Sequence, residues 1–153
     1  MRKIIFGEKQ DCDYRKTCYG IVKHNDKFLV TYNEKIKEYS LPGGGVEKGE
    51  TLEDCIKREF AEEVGFNVLR VDEFLNIDCF WIKRNGQPME TDANFLLVEV
   101  ELDKAFSPTE PEHRPLWVNK EMLNKITFPY QQKALEIFFN EIDKIDFWEW
   151  KIL

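Results

Sequence analysis

Short stretches rich in β-branched and aromatic side chains predict strands at Thr17 to Val22, Phe28 to Tyr32 and Tyr39 to Leu41. Between the first two, His24-Asn25-Asp26 carries residues that tolerate tight-turn dihedrals, so a hairpin is expected. Pro42 and three glycines stop the third strand, and a helical period then runs from Thr51 until Gly65 ends it. Val68 to Phe74 and Ile77 to Lys83 read as extended, and Asn85-Gly86 turns the chain toward Asn94 to Glu101, a second hairpin. Asp103 to Pro115 holds three prolines and reads as a loop before a short strand at Leu116 to Val118. Asn119 can cap a short helix, and Ala134, Leu135, Ile137, Phe138 and Ile142 give helical spacing to Tyr130 to Ile142. Strands outnumber the three helices, which predicts an α+β chain whose mixed sheet is covered by helices on its faces. No repeat, low-complexity tract or proline-rich linker divides it, so residues 1–153 are expected to form one domain.

Composition narrows the partners. At 153 residues, 42% of them hydrophobic, the chain can close a core. No apolar run approaches the roughly 18 residues that span a bilayer, so no membrane partner is expected. With 22 Lys and Arg against 29 Asp and Glu, the formal charge is −7, which repels a nucleic acid backbone. An anionic small molecule would have to be met by a cation that the protein's own acids hold. Cys12, Cys18, Cys55 and Cys79 show no C-x-x-C pair, which makes a zinc site improbable. The amino terminus is basic and then briefly apolar, but charge returns at Glu8 and Lys9, too soon for a signal peptide. All four cysteines are therefore expected as reduced thiols in a cytoplasmic protein. The tail Phe147-Trp148-Glu149-Trp150 is expected to pack on the domain or on the twin subunit of a homodimer.

The helix after the glycines carries the most informative pattern. At about 100° per residue, Leu52, Cys55, Ile56 and Phe60 mark one apolar stripe. Glu59 and Glu63 fall inside that stripe and Glu62 falls at its edge, whereas a solvating helix would place its acids on the far side. Like charges at i and i+4 repel, more so when partly buried. Protonation, a basic partner or a divalent metal would relieve them, and adjacent hard oxygen ligands suit Mg²⁺ or Mn²⁺. The plain alternative is an acidic face paired with lysines elsewhere.

Gly43, Gly44 and Gly45 lack a β-carbon, so their backbone can approach a ligand, and a freed carbonyl would be one more hard donor. Gly44 to Thr51 nearly spells a phosphate-cradling loop, but Glu50 stands where that motif demands Lys and would repel the phosphates. Taken together, Gly44, Glu50 and Arg58-Glu59-Phe60-Ala61-Glu62-Glu63-Val64-Gly65-Phe66 resemble a complete Nudix box, G-x5-E-x7-R-E-U-x-E-E-x-G-U with U a bulky apolar residue. Phe60 and Phe66 stand at U sites where aliphatics are commoner. With its lead-in Leu41-Pro42-Gly43-Gly44, the resemblance covers 26 contiguous residues, and Leu116-Trp117-Val118 is similar to a short strand that often follows the box.

Resemblance to the Nudix hydrolase (MutT-like) family implies an α/β/α sandwich and hydrolysis of a nucleoside diphosphate linked to another group. It implies Mg²⁺, or Mn²⁺, held directly by Glu59 and Glu63, with Glu62 ligating a metal or its water and the Gly44 carbonyl completing the shell. Arg58 and Glu50 would pair and hold helix and loop in register. A nucleotide sensor of the same fold, binding without turnover, is the alternative; it usually can lose its metal acids, and here all are present. The third possibility is a metal-free structural domain.

Outside the box, the resemblance gives the general base no unique position. Glu112 is favoured and Glu110 is its neighbour, both in the loop before Trp117, with Glu99 and Glu101 ranked behind on one strand face. Phe80 and Trp81 could stack on a nucleobase, although core packing is the commoner use of such residues. His113, in a polar loop near Pro115, reads as solvated, and Cys55 reads as a small core residue.

Overall fold

The computed structural model describes residues 1–142, with the side chain of residue 142 excepted. The Phe147-Trp148-Glu149-Trp150 tail lies outside the described residues. Nine strands, two α-helices and one 3-10 helix follow in the order β1 (Arg2–Phe6), β2 (Asp13–Ile21), β3 (Lys23–His24), β4 (Lys27–Asn33), β5 (Glu38–Ser40), β6 (Gly43–Gly45), α1 (Leu52–Glu63), β7 (Val68–Ile82), β8 (Pro88–Val100), β9 (His113–Asn119), the 3-10 helix (Lys120–Lys125) and α2 (Pro129–Ile142).

The larger sheet runs β1-β7-β8-β2-β6 and is mixed: β1 lies parallel to β7 and β2 parallel to β8, while β7–β8 and β2–β6 are antiparallel. In the smaller sheet β9 pairs along the whole of β4, and β3 and β5 pair with the two ends of its other edge. Alternation on β2 divides the core. Tyr19 and Ile21 join Phe95, Ile77 and the apolar face of α2 through Tyr130, Ala134, Leu135 and Phe138. Cys18 and Val22 join Leu96, Val98 and the α1 residues Cys55, Ile56 and Phe60. Gly20 lets this second cluster close, since a β-carbon there would stand 2.5 Å from the Phe60 ring.

Several expected elements change shape. The Asn25-Asp26 turn forms, with Asn25 at φ 55°, but it joins β3 to β4; β2 does not pair with β4 and enters the other sheet. Two buried faces explain this, because Thr17 to Val22 is buried throughout and needs α-helices on both sides. Val68 to Ile82 is one strand with irregular register near Arg70 and Leu75, and its hairpin with β8 begins at Pro88. Asn119 precedes the 3-10 helix without a side-chain cap bond.

The expectation of four reduced thiols is corrected: Cys18 and Cys55 are joined by a disulfide, and Cys12 and Cys79 are free. Cys18 faces α1 from β2 and Cys55 lies on the buried stripe of α1, a meeting that a separation of 37 residues hides from any local motif. Closing a loop of that length removes unfolded-chain entropy equivalent to about 4 kcal/mol. Among the described residues no helix is long and apolar enough to cross a membrane.

Candidate metal and catalytic site

Helix α1 begins at Thr51, whose hydroxyl accepts from the Asp54 amide at 3.1 Å, and ends where Gly65, at φ 71°, donates to the Phe60 carbonyl. Its last carbonyls are taken up by the following loop: Phe106 donates to Gly65, Thr109 to Ala61 and Glu110 to Glu62. A side chain on Gly65 would collide with the Phe106 backbone, so this glycine serves both helix end and loop docking. The docked loop carries Glu110 and Glu112 and leads into His113.

Glu59 and Glu63 are buried, 8% and 5% exposed, while Glu62 is half-buried. Glu59 and Glu63 stand one helical turn apart on the buried side of α1, and the charge of each bears on the other. Burial, and then the charge of Glu59, drives the Glu63 pKa well up; burial also raises Glu59, against the pull of Arg58. Glu63 also sits in the last turn of α1, where the helix dipole disfavours negative charge and that turn carries no basic residue. This site favours a cation or a proton.

The glycines form a short strand, β6, pairing with β2 from Thr17 to Tyr19. Gly43 donates its amide to Glu63 Oε1 at 2.8 Å. A β-carbon on Gly44 would stand 2.6 Å from Glu59 Oε1, so its backbone meets the carboxylate directly. Carboxylate oxygens beside a backbone strand are hard donors of the kind that suits Mg²⁺ or Mn²⁺. Gly44→Ala should leave thermal stability within about 1 kcal/mol, because Glu59 can swing aside, and, if these oxygens hold Mg²⁺, weaken its binding about tenfold as it does so. Calorimetric titration alongside a thermal melt checks both halves.

Arg58 is the hub of the polar surroundings. Its Nε and Nη2 meet the two oxygens of Glu50 at 2.7 and 2.9 Å, Nη2 also meets the Gly45 carbonyl at 2.9 Å, and Nη1 meets Glu59 at 2.9 Å and Glu62 at 3.3 Å. Arg58 thereby holds the Glu50 carboxyl below the ordinary range. Glu62, half-buried, shares Arg58 Nη1 with Glu59.

His113, expected to be solvated, is instead brought into the site: its side chain is only 13% exposed. Nδ1 lies 3.0 Å from Thr31 Oγ1 and 3.5 Å from Glu63 Oε2, and Nε2 lies 3.6 Å from Glu110 Oε1. Glu110, Glu112 and His113 each present a donor atom within 4.8 Å of the others, and the charge of Glu110 is felt at Glu63. Glu99 registers with Arg70 on β7 and Glu101 pairs with Lys104 at 3.9 Å, both outside this group. The two aromatic candidates separate as strand alternation requires. Trp81 packs on Phe128 and Tyr130, with Tyr130 against Tyr19 and Tyr19 within electrostatic reach of Glu63. Phe80 faces the other side of the sheet and is buried, with Gly7 against its backbone.

The raised acids make a stability prediction. Above the ordinary carboxylate range the unfolded chain releases protons that folded Glu59 and Glu63 retain, so the unfolded state binds fewer protons and stability falls as pH rises. Asp78 and Glu90, raised chiefly by burial, act in the same direction; Glu50 opposes them, and its contribution is lost only as pH drops through its depressed value. In the presence of a chelator the melting temperature should therefore decline as pH rises above the ordinary carboxylate range. The decline should be shallower in Glu63→Gln, a comparison that separates Glu63 from Asp78 and Glu90.

Comparison with known proteins bears on the family and the fold. The chain is 37% identical over 75 residues to the 8-oxo-dGTP diphosphatase of Buchnera aphidicola subsp. Schizaphis graminum, a match covering 46% of this chain and 57% of that relative. Its fold is similar to that of a MutT protein from Bacillus halodurans, with TM-score 0.64, 20% identity and 80% of each chain covered. A NUDIX hydrolase from Nitrosomonas europaea gives TM-score 0.62 at 18% identity, over 83% of this chain and 89% of the other. A MutT NUDIX hydrolase from Burkholderia pseudomallei gives 0.61 at 22%, over 81% and 97%. The sandwich of α1 and α2 around a mixed sheet is thus the Nudix fold. The model of the NUDIX domain matches residues 15–137, a span that takes in both sheets apart from the edge strand β1 and the first residues of β2, with the glycine strand, α1 and the docked loop, and by that match the chain belongs to the NUDIX family.

Proposed function

We propose that this chain is a divalent-metal-dependent pyrophosphohydrolase, cleaving a phosphoanhydride in a nucleoside diphosphate linked to another group by attack of water on phosphorus. The observation that carries the reading is the buried Glu59–Glu63 pair, closed over by Gly43 and Gly44 at the negative end of α1. Glu59, Glu63 and the Gly44 carbonyl would hold Mg²⁺ or Mn²⁺, with Glu62 at the rim. Such an ion, when bound, neutralises diphosphate charge and lowers the pKa of water. Arg58 and Glu50 keep α1 and the glycine strand in register. Glu112 and Glu110 flank His113 as acceptors for the proton of water, and Glu110 takes precedence because its charge reaches Glu63. The exposed guanidinium of Arg15, beside Gly45, would meet the outgoing phosphate, and half-buried Trp81, backed by buried Tyr130, offers a flat group to stack on.

The name of the Buchnera relative makes an oxidised purine nucleoside triphosphate the first substrate to test. Nucleoside triphosphates including 8-oxo-dGTP, sugar nucleotides, dinucleoside polyphosphates and dinucleotide cofactors, each incubated with Mg²⁺, should yield a nucleoside monophosphate measurable by mass. Binding without any cleavage would transfer the site to the sensor reading. A chain that binds no divalent ion by calorimetry would be the structural domain. A cytoplasmic location, expected from reduced thiols, loses that ground with the Cys18–Cys55 bond and rests on the nucleotide substrate class alone. A homodimer is checked by the particle mass in solution.

A further inference from the structure

We infer that Cys18–Cys55 is a thiol–disulfide exchange site whose reactivity is coupled to cation occupancy of the acids on α1, an inference that rests on the metal reading proposed above. Cys18 is the register partner of Gly44 on one side and of Asn94 on the other. Cys55 lies one helical turn before Glu59, and its Sγ is 4.0 Å from the Gly44 carbonyl, 3.8 Å from the Gly45 carbonyl and 3.9 Å from Arg58 Nη2. The disulfide therefore ties together the same two supports that carry the acids and their glycine lid: α1 on one side, the β2–β6 pair on the other.

Both cysteines are fully buried, 0% exposed. An attacking thiolate reaches either sulfur only after β6 or α1 lifts, and that same movement separates Gly44 from Glu59 and Gly43 from Glu63. Occupancy by a cation favours the closed arrangement, so the opened, reducible population shrinks by the factor 1 + [M]/Kd. By linkage, losing the covalent tie weakens cation binding by the factor by which the cation stabilises the disulfide against the dithiol. The exchange itself is balanced with a small dithiol as reductant. One of its thiolates attacks a protein sulfur, breaking the Cys18–Cys55 bond and releasing the first cysteine as a thiolate with a mixed disulfide at the second. Its other thiolate then attacks the reductant's own sulfur in that mixed disulfide and releases the second cysteine, so that the reductant gives up two electrons and two protons to become a cyclic disulfide and Cys18 and Cys55 become thiols.

The test uses the full chain, oxidised with glutathione disulfide and then exposed to dithiothreitol with either a chelator or Mg²⁺ at ten times its calorimetric Kd. Samples are quenched with N-ethylmaleimide in denaturant and weighed; Cys12 and Cys79 give two labels in the oxidised chain, and reduction raises the count to four. Mg²⁺ should slow the gain of the last two labels about tenfold, Mg²⁺ should bind more weakly to the reduced chain, and Glu63→Gln should lose the protection while still being reduced. Measurable Mg²⁺ binding with an unchanged reduction rate would overturn the coupling and leave the metal reading standing. Four labels before any reductant would overturn the exchange site itself, and absence of Mg²⁺ binding would overturn both readings.

Discussion

Glu63→Gln should lower turnover by more than about 100-fold, equivalent to about 2.7 kcal/mol of transition-state stabilisation, without unfolding the protein. The amide oxygen can still accept from Gly43, which reaches Glu63 Oε1 at 2.8 Å, and the neutral amide puts no charge beside Glu59. What disappears is a negative donor that burial and Glu59 already make reluctant to ionise. In chelator the variant should therefore melt no lower than the parent at neutral pH, since a buried group that burial makes costly to ionise is replaced by a neutral one and the Gly43 bond is kept. Steady-state kinetics, a Mg²⁺ titration and a melt read the three parts separately. Near-normal turnover by a folded variant would remove Glu63 from the metal set, and a collapse of the melt would mean that the carboxylate is needed for packing.

The features of this site that could be read from the chain are those set by local periodicity. The Thr51 cap, the Gly65 stop and the wheel position of Glu59 and Glu63 all lie within one helix, where sequence spacing is spatial spacing. The glycine strand was not legible, because Gly43 to Gly45 has no β propensity of its own and is extended only by pairing with β2. Strand β1 is equally silent: it is five residues long, mostly exposed, and held at the sheet edge by β7. Long-range meetings account for the rest. Cys18 and Cys55 meet across the β2–α1 interface, and His113 reaches Glu63 because β9 pairs with β4 from His113 onward. One signal did point to His113. Extending the Leu116-Trp117-Val118 strand backward by period two places His113 on the face of Trp117, whose ring packs against Phe66 in the α1 cluster. The same period shows that adjacent Phe80 and Trp81 cannot both face one ligand.

Arg58→Ala should cost about 3 kcal/mol of stability, a larger effect on the fold than any change to the acids themselves. Arg58 is 24% exposed and Glu50 11%, so their two-pronged contact is largely shielded from solvent. Truncation leaves Glu50 with the Glu47 amide at 3.0 Å, and strips the Gly45 carbonyl, Glu59 and Glu62 of a shared donor. Because Glu59 and Glu63 remain in place, Mg²⁺ affinity should fall less than in Glu63→Gln. Arg58→Lys should recover little, since an ammonium cannot span both oxygens of Glu50 while reaching Glu59. In a double-mutant cycle with Glu50→Gln, urea melts should show that most of the loss is coupling between the two residues, because the amide removes the stranded charge. Additive losses would mean that Arg58 acts through its other partners, the Gly45 carbonyl, Glu59 and Glu62, and not through Glu50. In that case the register between the glycine strand and α1 comes from the Arg58–Gly45 bond together with the disulfide and the β2–β6 pairing, and Glu50→Gln alone should leave cation binding almost unchanged.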